Sequence, residues 1–142
     1  MVLTSPLQRA RETCRLAGYS DAAAVEESLR EWDYGDYEGR STPDIQKDRA
    51  GWNLWNDGVP NGESIDLVAS RAARVIDRAL QANGDCALFA HGHILRILTA
   101  VWLQLAPQEG RHFALDTATV SILGWERETR AVRLWNRAPD PV

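Results

Sequence analysis

Five small or apolar residues at 86–90, Cys-Ala-Leu-Phe-Ala, run straight into His91-Gly92-His93 and then into the mainly apolar stretch ILRILTAVWL. A short apolar run followed by a longer one predicts a buried strand that delivers two imidazoles to the mouth of a helix, which continues to near Leu105 before Ala106-Pro107. Such a junction suits an anion, because strand ends in α/β sheets open into ligand crevices and the first helical N–H groups have no partner of their own. Before it, Ile65, Val68, Ala69, Ala72, Ala73, Ile76, Ala79 and Leu80 recur at helical spacing behind a capping Ser64, and Asn83-Gly84-Asp85 ends that helix. The stripe is core.

The remaining pattern fills in the chain on either side. Val2-Leu3-Thr4 reads as a strand end, and Ser5-Pro6-Leu7-Gln8 as a capping-box helix start whose helix runs to about Ala17, stops at Gly18 and carries Arg9, Arg11 and Arg15. Residues 24–29 predict a short edge strand, and 29–39 a loop rich in aromatics and glycine. Thr42-Pro43 starts a short helix to about Ala50, after which GWNLWNDGVPNGES crosses the surface. After the 112–115 segment and a turn at Asp116-Thr117, strands at 119–126 and 131–136 flank a tight polar turn and form a hairpin.

Composition narrows the classes. With 142 residues, 44% hydrophobic and 25% charged, and no repeat or internal linker, the chain reads as one globular domain. No apolar run reaches the roughly 18 residues a span needs, and the start lacks a signal-peptide core, so a cytoplasmic location is expected. Cys14 and Cys86 have neither metal-site nor disulfide-framework spacing and read as reduced thiols. A net charge of −4 argues against nucleic acid and against an anionic membrane surface. The acidic run at 21–38 is in the main a solvated face.

Several residues carry candidate chemistry. Arg9, in the first helical turn, can fold back over the strand end and grip a phosphate with two parallel hydrogen bonds; otherwise it is a solvent arginine. Glu31 beside Trp32 can be desolvated enough to hold a proton as a general acid must; otherwise it is a surface carboxylate of the acidic run. Trp52, Leu54 and Trp55 either plug a satellite core or form a pocket wall. Glu63 either favours the positive end of the helix after it or orients a catalytic group from behind. His112 has no visible partner and receives no catalytic role.

Taken in order, SPLQRARET, LREWDYGDYEG, PNGES and FAHGHILRIL resemble the histidine phosphatase superfamily, the phosphoglycerate-mutase-like proteins, over almost the whole chain. The resemblance implies an α/β fold of three layers, a mostly parallel sheet with helices on both faces. It implies a mechanism in which a neutral histidine attacks a phosphoryl group and the phosphohistidine passes it to water or to an acceptor hydroxyl. By carry-over, Arg9 binds phosphoryl oxygens, His91 hydrogen-bonds them, the Gly92 N–H adds a donor and Glu31 protonates the leaving oxygen. Glu63 supports these from behind, and Trp32, His93 and the 52–55 loop lie around a small phosphorylated substrate. No metal and no organic cofactor is implied, and homo-oligomerisation is left open.

The chain departs from the family at its start. Members open with a strand ending in Arg-His-Gly, whose histidine is the nucleophile and whose strand is central in the sheet. No Arg-His-Gly occurs in this chain, and neither His91 nor His93 replaces that histidine by position. The domain is therefore expected to be an N-terminally truncated histidine phosphatase or a mis-started reading frame, missing the first central strand and first helix and nearly inactive. A phosphatase is favoured over a phosphoglycerate mutase by the short connection between Gly39 and Pro60. A non-catalytic phosphate-ligand or protein-binding remnant is the alternative, and half of a split enzyme ranks last.

Overall fold

A computed structural model describes residues 1–138. It is an α/β fold, as expected from the alternation of short apolar runs with helical stripes. Strands β1 (Val2–Thr4), β2 (Ala23–Val25) and β3 (Ala87–Phe89) form a parallel sheet in the order β2-β1-β3, with Leu3 opposite Ala24 on one side and Leu88 on the other. Helix α1 (Gln8–Leu16) packs against β1 and β3, while the short helices α2 (Thr42–Asp48) and α3 (Leu54–Asp57) lie in the long connection to α4 (Ile65–Leu80). Helix α5 (Gly92–Trp102) follows β3 directly and packs against α4. A separate antiparallel hairpin, β4 (Val120–Glu126) and β5 (Thr129–Arg137), completes the described chain.

The core forms where α4 and α5 meet. Ser64 caps α4 as expected, its hydroxyl accepting the Leu67 N–H at 3.3 Å, and Val68, Ala72, Val75 and Ile76 are buried. Helix α5 buries Ile94, Ile97, Leu98, Thr99, Ala100 and Trp102, so it is covered on most of its circumference. It stops at Trp102, short of the expected Leu105. Gln104 adopts a left-handed φ of 60°, and the Leu105 N–H turns back to the Ala100 carbonyl at 2.9 Å. That closes the helix end by local hydrogen bonding before the proline can act.

Two other expectations shift. The strand expected at 24–29 ends at Val25, because the Glu26 carboxylate accepts the Ser28 N–H at 3.0 Å and starts a 3-10 turn over Glu27–Leu29. Ser5 does not cap α1: Leu7 occupies that position without a side-chain cap. Among the described residues no helix is long and apolar enough to cross a membrane.

Strands β3 and β4 are not paired with each other, and each ends its sheet as an edge. All of β3 is only half-buried, where a covered parallel strand is ordinarily fully inside. The hairpin is attached through α5 instead: the Trp102 indole N–H donates to the Ala131 carbonyl at 3.2 Å, and the Trp102 and Trp125 rings meet edge to face at 5.3 Å. The sheet thus stops at the strand that carries the histidines.

Candidate active site

His91 is the N-cap residue of α5, in an extended conformation that continues from β3. The Arg9 Nε–H, in the first turn of α1, donates to its Nδ1 at 3.0 Å. A guanidinium can only donate, so Nδ1 must offer a lone pair and the ring's single proton sits on Nε2. Nε2 lies 2.8 Å from the Ser5 hydroxyl, which is wholly buried and also accepts the Leu7 N–H at 3.2 Å. The serine that resembled a helix cap therefore holds the histidine. Burial is the main force keeping His91 below its ordinary pKa, and Arg9 adds to it while Glu31 opposes it.

Glu31 lies beside this pair. Its Oε1 accepts the N–H groups of Trp32 and Ile94, each at 3.0 Å, and its Oε2 accepts the His93 N–H at 3.1 Å. The carboxylate therefore sits on the N-terminus of α5, where free N–H groups and the helix dipole favour an anion. It engages His93 and Ile94 but not Gly92, whose N–H stays out of this set. The sequence offered a carboxyl desolvated by Trp32 so that it holds its proton; the structure shows both oxygens accepting N–H groups. Oε2, with a single N–H partner, keeps a lone pair on which a proton can sit.

The loop that carries Glu31 is fastened from behind by a residue that sequence reasoning missed. Arg71 of α4 donates Nε and Nη2 to the Glu63 carboxylate at 2.8 and 2.7 Å, and Nη1 to the carbonyls of Ser28 and Arg30 at 2.8 and 2.9 Å. Glu63 in turn accepts the Asp33 N–H at 3.1 Å and, through its carbonyl, the Trp32 indole N–H at 2.9 Å. Glycine is required where the two loops meet: a Cβ on Gly35 would lie 2.2 Å from the Pro60 carbonyl oxygen, and one on Gly62 would lie 2.4 Å from that of Asp33. The only sequence signal for Arg71 was a charged residue next to an apolar stripe.

The aromatic residues divide. Trp32 is 1% exposed and belongs to the core, so it backs the site and offers no open face to a ligand, a correction to its expected place beside the substrate. Trp52 is buried against Tyr37 and donates its indole N–H to the Gly58 carbonyl at 2.9 Å, as in the satellite-core reading. Trp55 is buried too, but its ring centroid lies 5.4 Å from that of His93. His93 follows Gly92 on the first turn of α5, with its Nδ1 2.6 Å from the Tyr34 hydroxyl. Arg9, Glu31, His91, Gly92 and His93 are thus drawn together around the start of one helix, with Glu63 behind Trp32 and Asp33.

The two histidines set a pH dependence. Burial is the first cause that lowers both below the ordinary 6.5; for His93, Glu31 pulls the other way and Arg96 adds to the lowering. With folded values depressed, the unfolded chain takes up protons first, so their contribution is fully present above 6.5 and is lost as pH falls through that value. Urea unfolding followed from about pH 7 to about pH 5.5, above the carboxylate range, is expected to show falling stability. His91→Asn is expected to flatten that slope.

Comparison with known proteins fits this geometry. A profile of the histidine phosphatase superfamily (branch 1) matches residues 1–138. An acid phosphatase of Mycobacterium tuberculosis is 39% identical over 146 residues, covering 100% of this chain and 71% of that protein. A sedoheptulose 1,7-bisphosphatase of Saccharomyces cerevisiae is 38% identical over 134 residues, covering 76% of this chain but 49% of that protein. The solved structure of an open reading frame product of Mycobacterium tuberculosis superposes with a TM-score of 0.92 at 36% identity, over 97% of this chain and 72% of the other. A fold, a site and a profile that agree over nearly every described residue have one conclusion: the chain belongs to the histidine phosphatase superfamily.

Proposed function

We propose that this chain supplies the larger part of a phosphatase site for a small phosphomonoester, and that the histidine that takes the phosphoryl group belongs to a strand lying between β3 and β4. The observation that carries the reading is the Arg9–His91 pair beside the unengaged Gly92 N–H, a neutral imidazole and fixed positive donors at a helix N-terminus. Arg9 and Gly92 hold phosphoryl oxygens, and the Nε2–H of His91, released from Ser5, follows the charge that spreads over them in the transition state. Glu31, protonated on the free lone pair of Oε2, delivers that proton to the leaving oxygen and regains one from the attacking water. The nucleophile's bond to phosphorus forms as the ester P–O bond breaks, and water then cleaves the phosphohistidine.

The family, and relatives that are phosphatases, support this reading. Hydrolysis is favoured over a mutase reaction. The alternative is a phosphate-binding remnant without turnover, and it predicts the same binding site. Calorimetric titration of the purified chain with orthovanadate tests what both share. Arg9→Met is expected to weaken binding about 10–100-fold, the equivalent of one charge-assisted hydrogen bond of about 1.5–3 kcal/mol. Unchanged affinity in Arg9→Met would sink the assignment of this site.

A further inference from the structure

Tyr34 is outside the set of residues that the family resemblance brings forward, yet its hydroxyl makes the shortest hydrogen bond to either site histidine, 2.6 Å from Nδ1 of His93. The Glu31 carboxylate is the other acceptor near it. Burial first, with the Glu31 and Glu38 charges behind it, pushes the phenol far up, so the hydroxyl keeps its proton. Of the two acceptors, Nδ1 of His93 is the one at hydrogen-bond length. Glu31 does not compete for that nitrogen, since its Oε2 is 3.9 Å away and is already accepting the His93 backbone N–H.

The ring is held in orientation as well as in protonation. Trp32 and Tyr34 meet it edge to face, at 6.2 Å and 86° and at 5.7 Å and 80°, and Trp55 meets it tilted at 5.4 Å. Nε2 makes no hydrogen bond to a described residue, and no unpartnered side-chain nitrogen or oxygen is buried among them, so that edge of the ring is open to solvent or ligand. His91 shows the same logic with a different donor: Arg9 occupies its Nδ1, and its Nε2–H is spent on Ser5. Two imidazoles on one helix start are thus set in the same tautomer, one engaged and one free.

We propose that Tyr34 is a positioning residue that fixes His93 as an Nε2–H tautomer, which gives the pocket a neutral N–H donor for an oxygen acceptor on the alcohol half of the ester. The second half of that statement rests on the phosphomonoester reading; the first does not. A neutral donor among aromatic rings can bind a hydroxyl oxygen without the desolvation cost of a second cation. Arg9 and Gly92 then address the phosphoryl group, and His93 the group it leaves.

Multiple-bond nitrogen–proton NMR of histidine-labelled protein reads the tautomer of each ring. The wild-type chain is expected to show both rings protonated on Nε2 near pH 7. Tyr34→Phe is expected to lose the single tautomer at His93 and to leave His91 unchanged as an internal control. A proton on Nδ1 of His93 in the wild type would overturn the proposal, as would a His93 signal indifferent to Tyr34→Phe. If that variant does not fold, the wild-type spectrum decides alone. Orthophosphate should move only His91, whereas ribose 5-phosphate should move the His93 Nε2–H too; movement of His91 without His93 on ribose 5-phosphate overturns the donor role. Orthophosphate moving neither ring counts against the phosphatase reading and leaves the tautomer result standing.

Discussion

Purified as 142 residues, the chain is expected to hydrolyse an aryl phosphate on the order of a million-fold more slowly than the same chain preceded in frame by a strand that ends in Arg-His-Gly. The size follows from the chemistry. His91 cannot serve as nucleophile while its Nδ1 faces Arg9 and its Nε2 carries the proton held by Ser5, so no lone pair of that ring is free to attack phosphorus. Folding should respond as well. A strand inserted between β3 and β4 would bury about five side chains at about 1.5–3 kcal/mol each, roughly 8–15 kcal/mol, against a typical domain stability of about 5–15 kcal/mol. It would also cover two edges that otherwise invite association. The longer form should therefore gain both turnover and a higher denaturation midpoint. Equal turnover in the two forms would place the nucleophile within these residues.

What could be read in the amino-acid sequence was whatever depends on neighbours along the chain. The strand at 87–90 and the helix after it announced themselves as one uninterrupted apolar run broken by His91-Gly92-His93, and Ser64 ahead of a 3.6-residue stripe was enough to start α4. The hairpin was legible for the same reason. Contacts made across the fold were not. Ser5 stands before Pro6 and three residues before Gln8, a pattern that local chemistry reads as a cap, but its hydroxyl is claimed by a histidine 86 residues away. Glu31 was singled out for its tryptophan neighbour, and the groups that hold it come from elsewhere in the chain. Its setting is the N-terminus of α5, 62 residues later, and no property of LREWDYG announces that. Tyr34 and Arg71 went unnoticed because a tyrosine in a loop and an arginine beside a stripe are ordinary until their partners are placed.

Arg71→Met is expected to lower the unfolding free energy by about 1.5–3 kcal/mol, the cost of removing a charged donor from a part-buried pair. The Arg71 side chain is 12% exposed and the Glu63 side chain 23% exposed, so water reaches the pair only in part. Deleting it strands the Glu63 carboxylate with only the Asp33 N–H, and it leaves the Ser28 and Arg30 carbonyls without the donor they share. Surface pairs elsewhere, such as Lys47–Asp44, should cost less than about 1 kcal/mol when cut. Lysine at position 71 keeps the charge but cannot fork between a carboxylate and two carbonyls, so it should restore only part of the loss. Arg71→Met combined with Glu63→Gln should be less harmful than the sum of its parts, because the stranded charge disappears with its partner. Urea unfolding of the variants measures this, and a loss under about 1 kcal/mol for Arg71→Met would show that the clamp is not a stabilising unit. The local consequence is separable from the global one. Glu31 is held on the His93 and Ile94 N–H groups by a loop whose backbone Arg71 fastens, so hydrogen exchange at those two amides should accelerate in Arg71→Lys by more than exchange in the middle of α5 does.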